Sequence, residues 1–309
     1  MILVINLNAS IDKRYVLENL EKGKVMRVQK VENTPGGKGI HVANVATTLK
    51  EECIVTGFLG GKTGEFIENK LKEYGIKNNF IKIEGDTREC LAIITDDSVQ
   101  TEMLEPGPEV REEEQKEFLS LYADLIEKAE VIVASGSIPR NVPKNFYKKL
   151  LELANKKNKK FLLDTSGELL NEGIKGKPYF IKPNKEEIEF LTGRKICTIE
   201  DAVKEIKNLQ DKGIEFVAIS LGKDGSIVGF QDNFYKVTVP AVKSVNPVGS
   251  GDSFVAGVAI ATKRGYDIKD TLKLACACGT ANVMEEETGF VTESVVNELF
   301  NKIIVEEIQ

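Results

Sequence analysis

Short apolar runs rich in β-branched residues recur along this chain with helix-patterned segments between them, and that alternation constrains its fold more than any other feature. Met1–Asn6, Cys53–Leu59, Val131–Ser135, Lys160–Asp164 and Phe216–Ser220 are largely continuous in their hydrophobicity. Strands covered on both faces read in this way. Between them Val42, Val45, Ala46 and Leu49, and later Phe118, Leu119, Tyr122, Leu125 and Ile126, keep the three-and-four spacing of one helical face. Repeated strand–helix–strand units predict an α/β fold with a central mostly parallel sheet and helices on both sides.

Two stretches break the rhythm. Residues 11–34 and 86–104 hold strand-like pieces (Tyr15–Leu17, Val25–Val31, Cys90–Thr95, Thr101–Leu104) with no crossover helix between them. They are expected to pair as a small antiparallel β-sheet that lies over a site as a lid. With no internal repeat and no Pro/Gly/Ser linker, residues 1–309 read as one domain with this lid as an excursion.

Composition removes several function classes. The balance of 42 Lys plus Arg against 48 Asp plus Glu leaves a net charge of −6, so no nucleic-acid partner is expected. A single histidine, His41, makes a Ser/His/Asp hydrolase, a Cys/His protease or a multi-histidine zinc site a poor fit. The five cysteines are odd in number and none forms Cys-x-x-Cys, so they read as small core residues in a reducing compartment. The chain opens directly on a strand without a signal-peptide pattern, and its longest apolar run of interest, Phe254 to Ala261, is too short to span a bilayer. A cytoplasmic protein with no membrane partner is the expectation.

Familiar phosphate loops are absent. Around Gly60-Gly61-Lys62-Thr63 the first glycine that a Walker A loop requires falls on Thr56. After Gly249 and Gly251, the position that would complete G-x-G-x-x-G is Phe254. What the chain does offer is Asn246-Pro247-Val248-Gly249-Ser250-Gly251-Asp252, directly before an apolar helix expected over Ser253–Arg264. Unobstructed backbone N–H groups and the positive end of a helix suit a developing negative charge. Taken alone, Asp252 reads first as the ordinary N-cap of that helix. Pro35-Gly36-Gly37-Lys38-Gly39 also reads as a tight turn into a helix, and Asn184-Lys185-Glu186-Glu187 as an ordinary helix start.

Together and in this order, Gly36-Gly37-Lys38-Gly39, Asn184-x-x-Glu187 and Asn246 to Asp252 resemble the ribokinase-like sugar kinases, the PfkB family, over essentially the whole chain. The resemblance implies a three-layer sandwich with a small β-sheet lid, ATP as phosphoryl donor and Mg2+ as its companion ion. Leu7-Asn8 with Ser10-Ile11-Asp12, Thr87-Arg88 and Ser135-Gly136-Ser137 are similar to the branch that phosphorylates phosphosugars. Gly85 to Cys90 and Gln100 to Val110 resemble tagatose-6-phosphate kinases most, with 1-phosphofructokinases as close neighbours.

By that resemblance Asp252 takes the proton of the attacking sugar hydroxyl while Gly249, Ser250 and Gly251 face the transferred phosphoryl group. Asp12 would accept sugar hydroxyls, Gly36 and Gly37 would admit the sugar to the backbone, and Ser137 belongs to the same pocket. Lys24, Lys38 and Arg88 are candidates for the phosphate already on the substrate, although Lys24 reads as well as a surface lysine. Lys182, Asn184, Ser220, Gly222 and Gly225 fall on the nucleotide side, and Asn282, in a helix expected over Thr271–Val283, near the adenine. Glu187 would help to place magnesium through water.

Two positions depart from the family pattern. Ala9 stands where proline is common, and His41 where the family usually has asparagine. His41 is expected either to contact the substrate, titrating near neutrality, or to pack as a plain helix residue beside Val42 and Val45. The implied function is phosphorylation of a ketohexose monophosphate, tagatose 6-phosphate first and fructose 1-phosphate as the alternative. A sugar-phosphate-binding protein without catalysis is the reading from another class. An exposed lid edge is relieved by a second copy, so a homodimer through the lids is expected, as the family also implies.

Overall fold

Ile2 and Val4 pack into one hydrophobic core and Leu3 and Ile5 into another, so the first strand is buried on both sides. The computed structural model describes residues 1–97 and 99–308; Ser98, inside the second lid segment, and Gln309 lie outside the described residues. The chain runs β1 (Ile2–Asn6), β2 (Ser10–Leu17), β3 (Lys30–Gly36), α1 (Lys38–Thr48), β4 (Cys53–Gly60), α2 (Gly61–Glu73), β5 (Lys77–Asn78), β6 (Ile81–Ile83), β7 (Arg88–Thr95) and β8 (Gln100–Leu104). It continues α3 (Glu112–Lys128), β9 (Val131–Ser135), α4 (Phe146–Lys156), β10 (Lys160–Asp164), α5 (Gly167–Gly173), β11 (Phe180–Ile181), α6 (Lys185–Thr192), α7 (Ile199–Gln210) and β12 (Phe216–Ser220). It closes with β13 (Ser226–Phe230), β14 (Asn233–Thr238), α8 (Ser250–Arg264), α9 (Ile268–Val283), α10 (Glu293–Phe300) and β15 (Ile304–Ile308).

The main sheet has the order β15-β14-β13-β12-β11-β10-β9-β1-β4-β5, with β6 also on β4. It is parallel from β5 to β12 and antiparallel from there to β15. One face packs on α1, α8 and α9 through residues such as Val42, Val255 and Ala277, and the other on α3 and α4 through Phe118, Tyr122 and Leu150. These are the three layers that the alternation predicts. The antiparallel edge was not read from the sequence, because β12, β13 and β14 follow one another through short connections with no crossover helix, and β15 returns to the edge only after three helices.

A separate four-stranded sheet has the order β3-β2-β7-β8. Its outer pairs are antiparallel as expected, while β2 and β7 run parallel. Residues Val25 to Gln29 are not strand; Val25 is exposed, and β3 begins at Lys30. The register matters for function, because Ser10 opposes Gly36 on one side and Arg88 on the other. That pairing gathers residues far apart in sequence at the same end of the small sheet.

Close packing of α8 on α9 depends on Gly257, where an added Cβ would lie 2.6 Å from the Ala275 Cα. Overpacking of this kind typically costs about 1–3 kcal/mol. Burial pushes the Cys53, Cys276 and Cys278 thiols up to about 12, so these cysteines serve packing and not redox chemistry. No described helix is long and apolar enough to cross a membrane.

Candidate active site

In an open α/β sheet, ligands gather beyond the carboxyl ends of the parallel strands. Here Asn6, Ser135, Asp164 and Ser220 end β1, β9, β10 and β12. Beyond them opens a cleft of about 1400 Å3 whose wall includes Asn6, Asp12, Lys182, Ser220 and Asp252.

The glycine-rich segment before α8 follows from backbone geometry. Gly249 caps the helix with φ 83° and ψ −7°, in the left-handed region, and a Cβ there would come within 2.7 Å of the Gly289 nitrogen. Only glycine fits without strain. Helix α8 starts at Ser250, three residues earlier than its hydrophobic pattern suggested, and Asp252 is its third residue. Asp252 is therefore not the N-cap, and no side chain makes a cap hydrogen bond at this end. Its carboxylate is 6% exposed and lines the cleft. Gly251 brings the backbone close to Lys182, whose Nζ lies 3.1 Å from where a Cβ would stand.

Asn282 anchors this segment from behind. It is fully buried, its Nδ2 donates to the Val248 carbonyl at 2.8 Å, and its Oδ1 accepts from Ser253 Oγ at 3.0 Å and from the Gly289 N–H at 2.9 Å. Asn282 was expected near the adenine; in the structure its amide bonds to Val248, Ser253 and Gly289, and it is not among the residues lining the cleft.

Three charged groups meet at the centre of the site. Asp164 is 3% exposed, with Lys38 Nζ at 3.4 Å, Lys182 Nζ at 3.9 Å and Ser135 Oγ donating at 3.1 Å. Burial alone would raise this carboxyl, but Lys38, Lys182 and the serine outweigh it and hold it below the usual carboxylate range. Asp164 first, then Asp252 and Glu187, in turn push the Lys38 ammonium well above its ordinary value against the opposing effect of burial. Lys38 is thus held as a cation chiefly by Asp164, with the charges of Asp252 and Glu187 adding to the effect. The sequence patterns missed Asp164 as a site residue, although its place at the end of a predicted inner strand was a usable signal.

On the small-sheet side, Asp12 Oδ1 accepts from Ser10 Oγ at 2.7 Å, and any Cβ on Gly36 would overlap the Asp12 carboxyl. Gly37 has φ 105° and lies against Asn6, whose buried Nδ2 finds no hydrogen-bond partner among the described residues. Arg88 donates to the carbonyls of Glu105 at 2.8 Å and Asn8 at 3.0 Å, and Ser137 Oγ accepts from Asn8 Nδ2 at 3.0 Å. Both line the cleft, whereas Lys24 sits on the exposed β2–β3 loop away from it. Gly36 supports the site from behind and is not on the cleft surface.

His41 lies between the two carboxylates. Its Nδ1 is 2.8 Å from Asp252 Oδ2 and its Nε2 is 3.6 Å from Asp12 Oδ2. The first is a hydrogen bond and the second an ion-pair distance. Burial would push the imidazole down, but Asp12 and Asp252 overturn that and carry it up to about 9. His41 was expected to contact the substrate or to pack beside Val42 and Val45; the structure gives its ring the two carboxylates Asp252 and Asp12 as neighbours.

On the opposite side, Asn184 caps α6 by accepting the Glu187 N–H at 2.7 Å, while Glu187 Oε2 accepts the Asn184 N–H at 2.9 Å. This is a capping box. It also faces the cleft, as do Ser220 and Gly222, while Gly225, with φ 85°, forms the turn behind them. Among the described residues no cluster of three or more His, Cys, Asp or Glu could hold a metal. Glu187 lines the cleft and its Oε1 is not used in the capping box, so a magnesium ion held mainly by phosphate oxygens and water would find one carboxylate donor here.

A family model for pfkB family carbohydrate kinases matches residues 4–294. Among solved structures, a Staphylococcus aureus protein provisionally assigned as a phosphofructokinase is 30% identical with a TM-score of 0.87, covering 100% of this chain and 99% of its own. A Thermotoga maritima protein provisionally assigned as a 1-phosphofructokinase is 25% identical with a TM-score of 0.91, covering 100% of both chains. Arabidopsis thaliana ribokinase, complexed with ribose and ATP, shares the fold with a TM-score of 0.80 at 19% identity, covering 97% of this chain and 98% of its own.

Proposed function

Within the pfkB family of carbohydrate kinases, to which this chain belongs, we propose that the protein transfers the γ-phosphoryl group of ATP to a ketohexose monophosphate, converting tagatose 6-phosphate to tagatose 1,6-bisphosphate. The observation that carries this reading is the buried Asp252 in the first turn of α8, beside the open backbone of Gly249 to Gly251. An acceptor hydroxyl against Asp252 loses its proton to the carboxylate as its oxygen forms a bond to the γ-phosphorus and the bond to the ADP oxygen breaks. The N–H groups at the start of α8 and the Lys182 ammonium meet the charge of the transferred group. Removing one such donor typically costs on the order of 100-fold in turnover.

Asp12 holds the sugar hydroxyls from the small sheet, Gly37 brings the backbone near the sugar, and Gly36 backs the Asp12 carboxyl from behind. Arg88 and Ser137 take the phosphate already present. Lys38, paired with Asp164 in the cleft, is the further candidate for the phosphate already present. Asn184, Ser220 and Gly222 flank the nucleotide. Magnesium, placed through Glu187 and water, would neutralise the ATP phosphates.

Fructose 1-phosphate is the second acceptor to consider, supported by the 25% identity with the Thermotoga maritima protein. Both acceptors carry a phosphate at one end of a ketohexose and give bisphosphates at both ends. We read residues 1–309 as one domain working in the cytoplasm, with the small sheet as its lid. Val31, Met103 and Leu104 are exposed on that sheet, and a second copy covering them would make a homodimer; light scattering at micromolar concentration checks this.

The test of function is a coupled ADP-release assay with tagatose 6-phosphate, fructose 1-phosphate, fructose 6-phosphate and fructose. A higher kcat/KM for tagatose 6-phosphate supports the reading, and preference for fructose 1-phosphate moves the substrate. Activity on free fructose alone discards the role of Arg88. Binding of either sugar phosphate without turnover makes the protein a binding protein.

A further inference from the structure

Each nitrogen of the His41 ring faces a carboxylate: Nδ1 is hydrogen-bonded to Asp252 and Nε2 stands 3.6 Å from Asp12. We propose that His41 is a positioning residue whose protonated ring ties Asp252 to Asp12, fixing the base of the reaction relative to the sugar-binding carboxylate. What Asp252 does rests on the kinase reading; the link between the three side chains does not.

The chemistry of imidazole supplies the argument. A neutral ring has one N–H and one lone pair. Between two ionised carboxylates, which are acceptors only, one lone pair of a neutral ring would oppose a carboxylate oxygen. The cation presents a proton to both. Its other surroundings do not remove the charge: Lys38 stands one turn earlier on α1, while Glu32 from β3 and Glu287 from the turn carrying Gly289 line the same cleft. The elevated pKa of the ring agrees with this geometry.

The fold is shaped to keep the ring there. Gly289 has φ 75°, and a Cβ on it would lie 2.5 Å from the His41 Cβ. Its carbonyl accepts Asn44 Nδ2 at 2.9 Å and its N–H is held by Asn282 Oδ1 at 2.9 Å, so the turn that makes room for the ring is pinned to both α1 and α9. At the other end, Ser10 holds Asp12 at 2.7 Å. With Oδ2 of Asp252 engaged by Nδ1, Oδ1 is left to receive the proton of the acceptor hydroxyl. The small sheet and helix α8 are thereby joined through one side chain.

Because the chain has one histidine, an untagged protein labelled in the imidazole ring gives a single NMR signal whose titration needs no substrate. The ring is expected to stay protonated to about pH 9 in the wild type and to titrate at least one unit lower in Asp252→Asn and in Asp12→Asn. In kinetics, His41→Gln should lower kcat by about 10- to 100-fold with KM for sugar phosphate and ATP nearly unchanged, as a misplaced base would. The wild-type fall in kcat above pH 9 should be absent from the variant. His41→Asn serves if His41→Gln does not fold. A ring that titrates at or below its ordinary value, or that ignores Asp252→Asn, overturns the proposal, as does an unchanged kcat. If no sugar phosphate is turned over, the proposed function fails, and the ring titration still decides the link.

Discussion

Asn282 holds Val248 by a hydrogen bond of 2.8 Å from its Nδ2 to the Val248 carbonyl, 34 residues away in sequence. Replacing it by alanine would leave that carbonyl, Ser253 Oγ and the Gly289 N–H short of a partner inside the protein. Buried unpaired groups of this kind cost about 1–3 kcal/mol each. Asn282→Ala should therefore lower the midpoint of denaturant unfolding and reduce kcat while leaving KM for ATP close to wild type. A selective rise in KM for ATP with normal stability would return Asn282 to the nucleotide pocket.

Asp252→Asn keeps the size of the side chain and a hydrogen-bond acceptor for His41, but has no negative charge with which to take a proton. Loss of a general base typically costs on the order of 100- to 10,000-fold. The variant should melt within a few degrees of wild type and retain under about 1% of kcat. Retention of substantial turnover on the preferred sugar phosphate would remove Asp252 from the role of base.

Gly249→Ala tests the anion-binding turn. A non-glycine residue in the left-handed region costs roughly 1–2 kcal/mol, and here its methyl also meets the Gly289 nitrogen and Thr288 Cγ2, at 2.7 and 2.8 Å. The turn must shift to accept it. The expected result is a loss of turnover on the order of 100-fold, with sugar-phosphate binding measured by calorimetry little affected. Equal losses in binding and turnover would point to collapse of the whole cleft.

The sequence displayed its inner strands and the parts of the site whose chemistry depends on backbone freedom. Strands β9, β10 and β12 lie where their apolar runs placed them, since burial on both faces leaves a plain hydrophobic signature. Gly249 and Gly37 were visible because only glycine suits their backbone angles. Contacts that depend on tertiary placement were not visible. Asp164 looked like the end of a strand, and nothing local says that Lys38 and Lys182 converge on it. His41 was noticed for its residue type, yet its two carboxylate partners come from β2 and α8. The register of β2 against β7, parallel where an antiparallel pairing was expected, depends on the long excursion between them.

Asp164 supplies a prediction in pH. Its folded carboxyl is held below the ordinary value chiefly because Lys38 and Lys182 outweigh the cost of burial. A carboxyl lowered in the folded state contributes stability that is present above its unfolded pKa, near 4 on the ordinary scale, and lost as pH falls through the folded value. Asp164→Asn removes that contribution and leaves Lys182, itself 7% exposed, without its carboxylate. Breaking a buried pair in this way costs about 3–5 kcal/mol. Guanidinium unfolding of both proteins at neutral pH should show a gap of this order. Below about pH 4 the unfolded chain takes up the proton while the folded Asp164 does not, so the gap should narrow there and close only as pH falls through the lower folded value. A gap that stays constant through that range would mean that the lysines draw no stabilisation from the charge on Asp164.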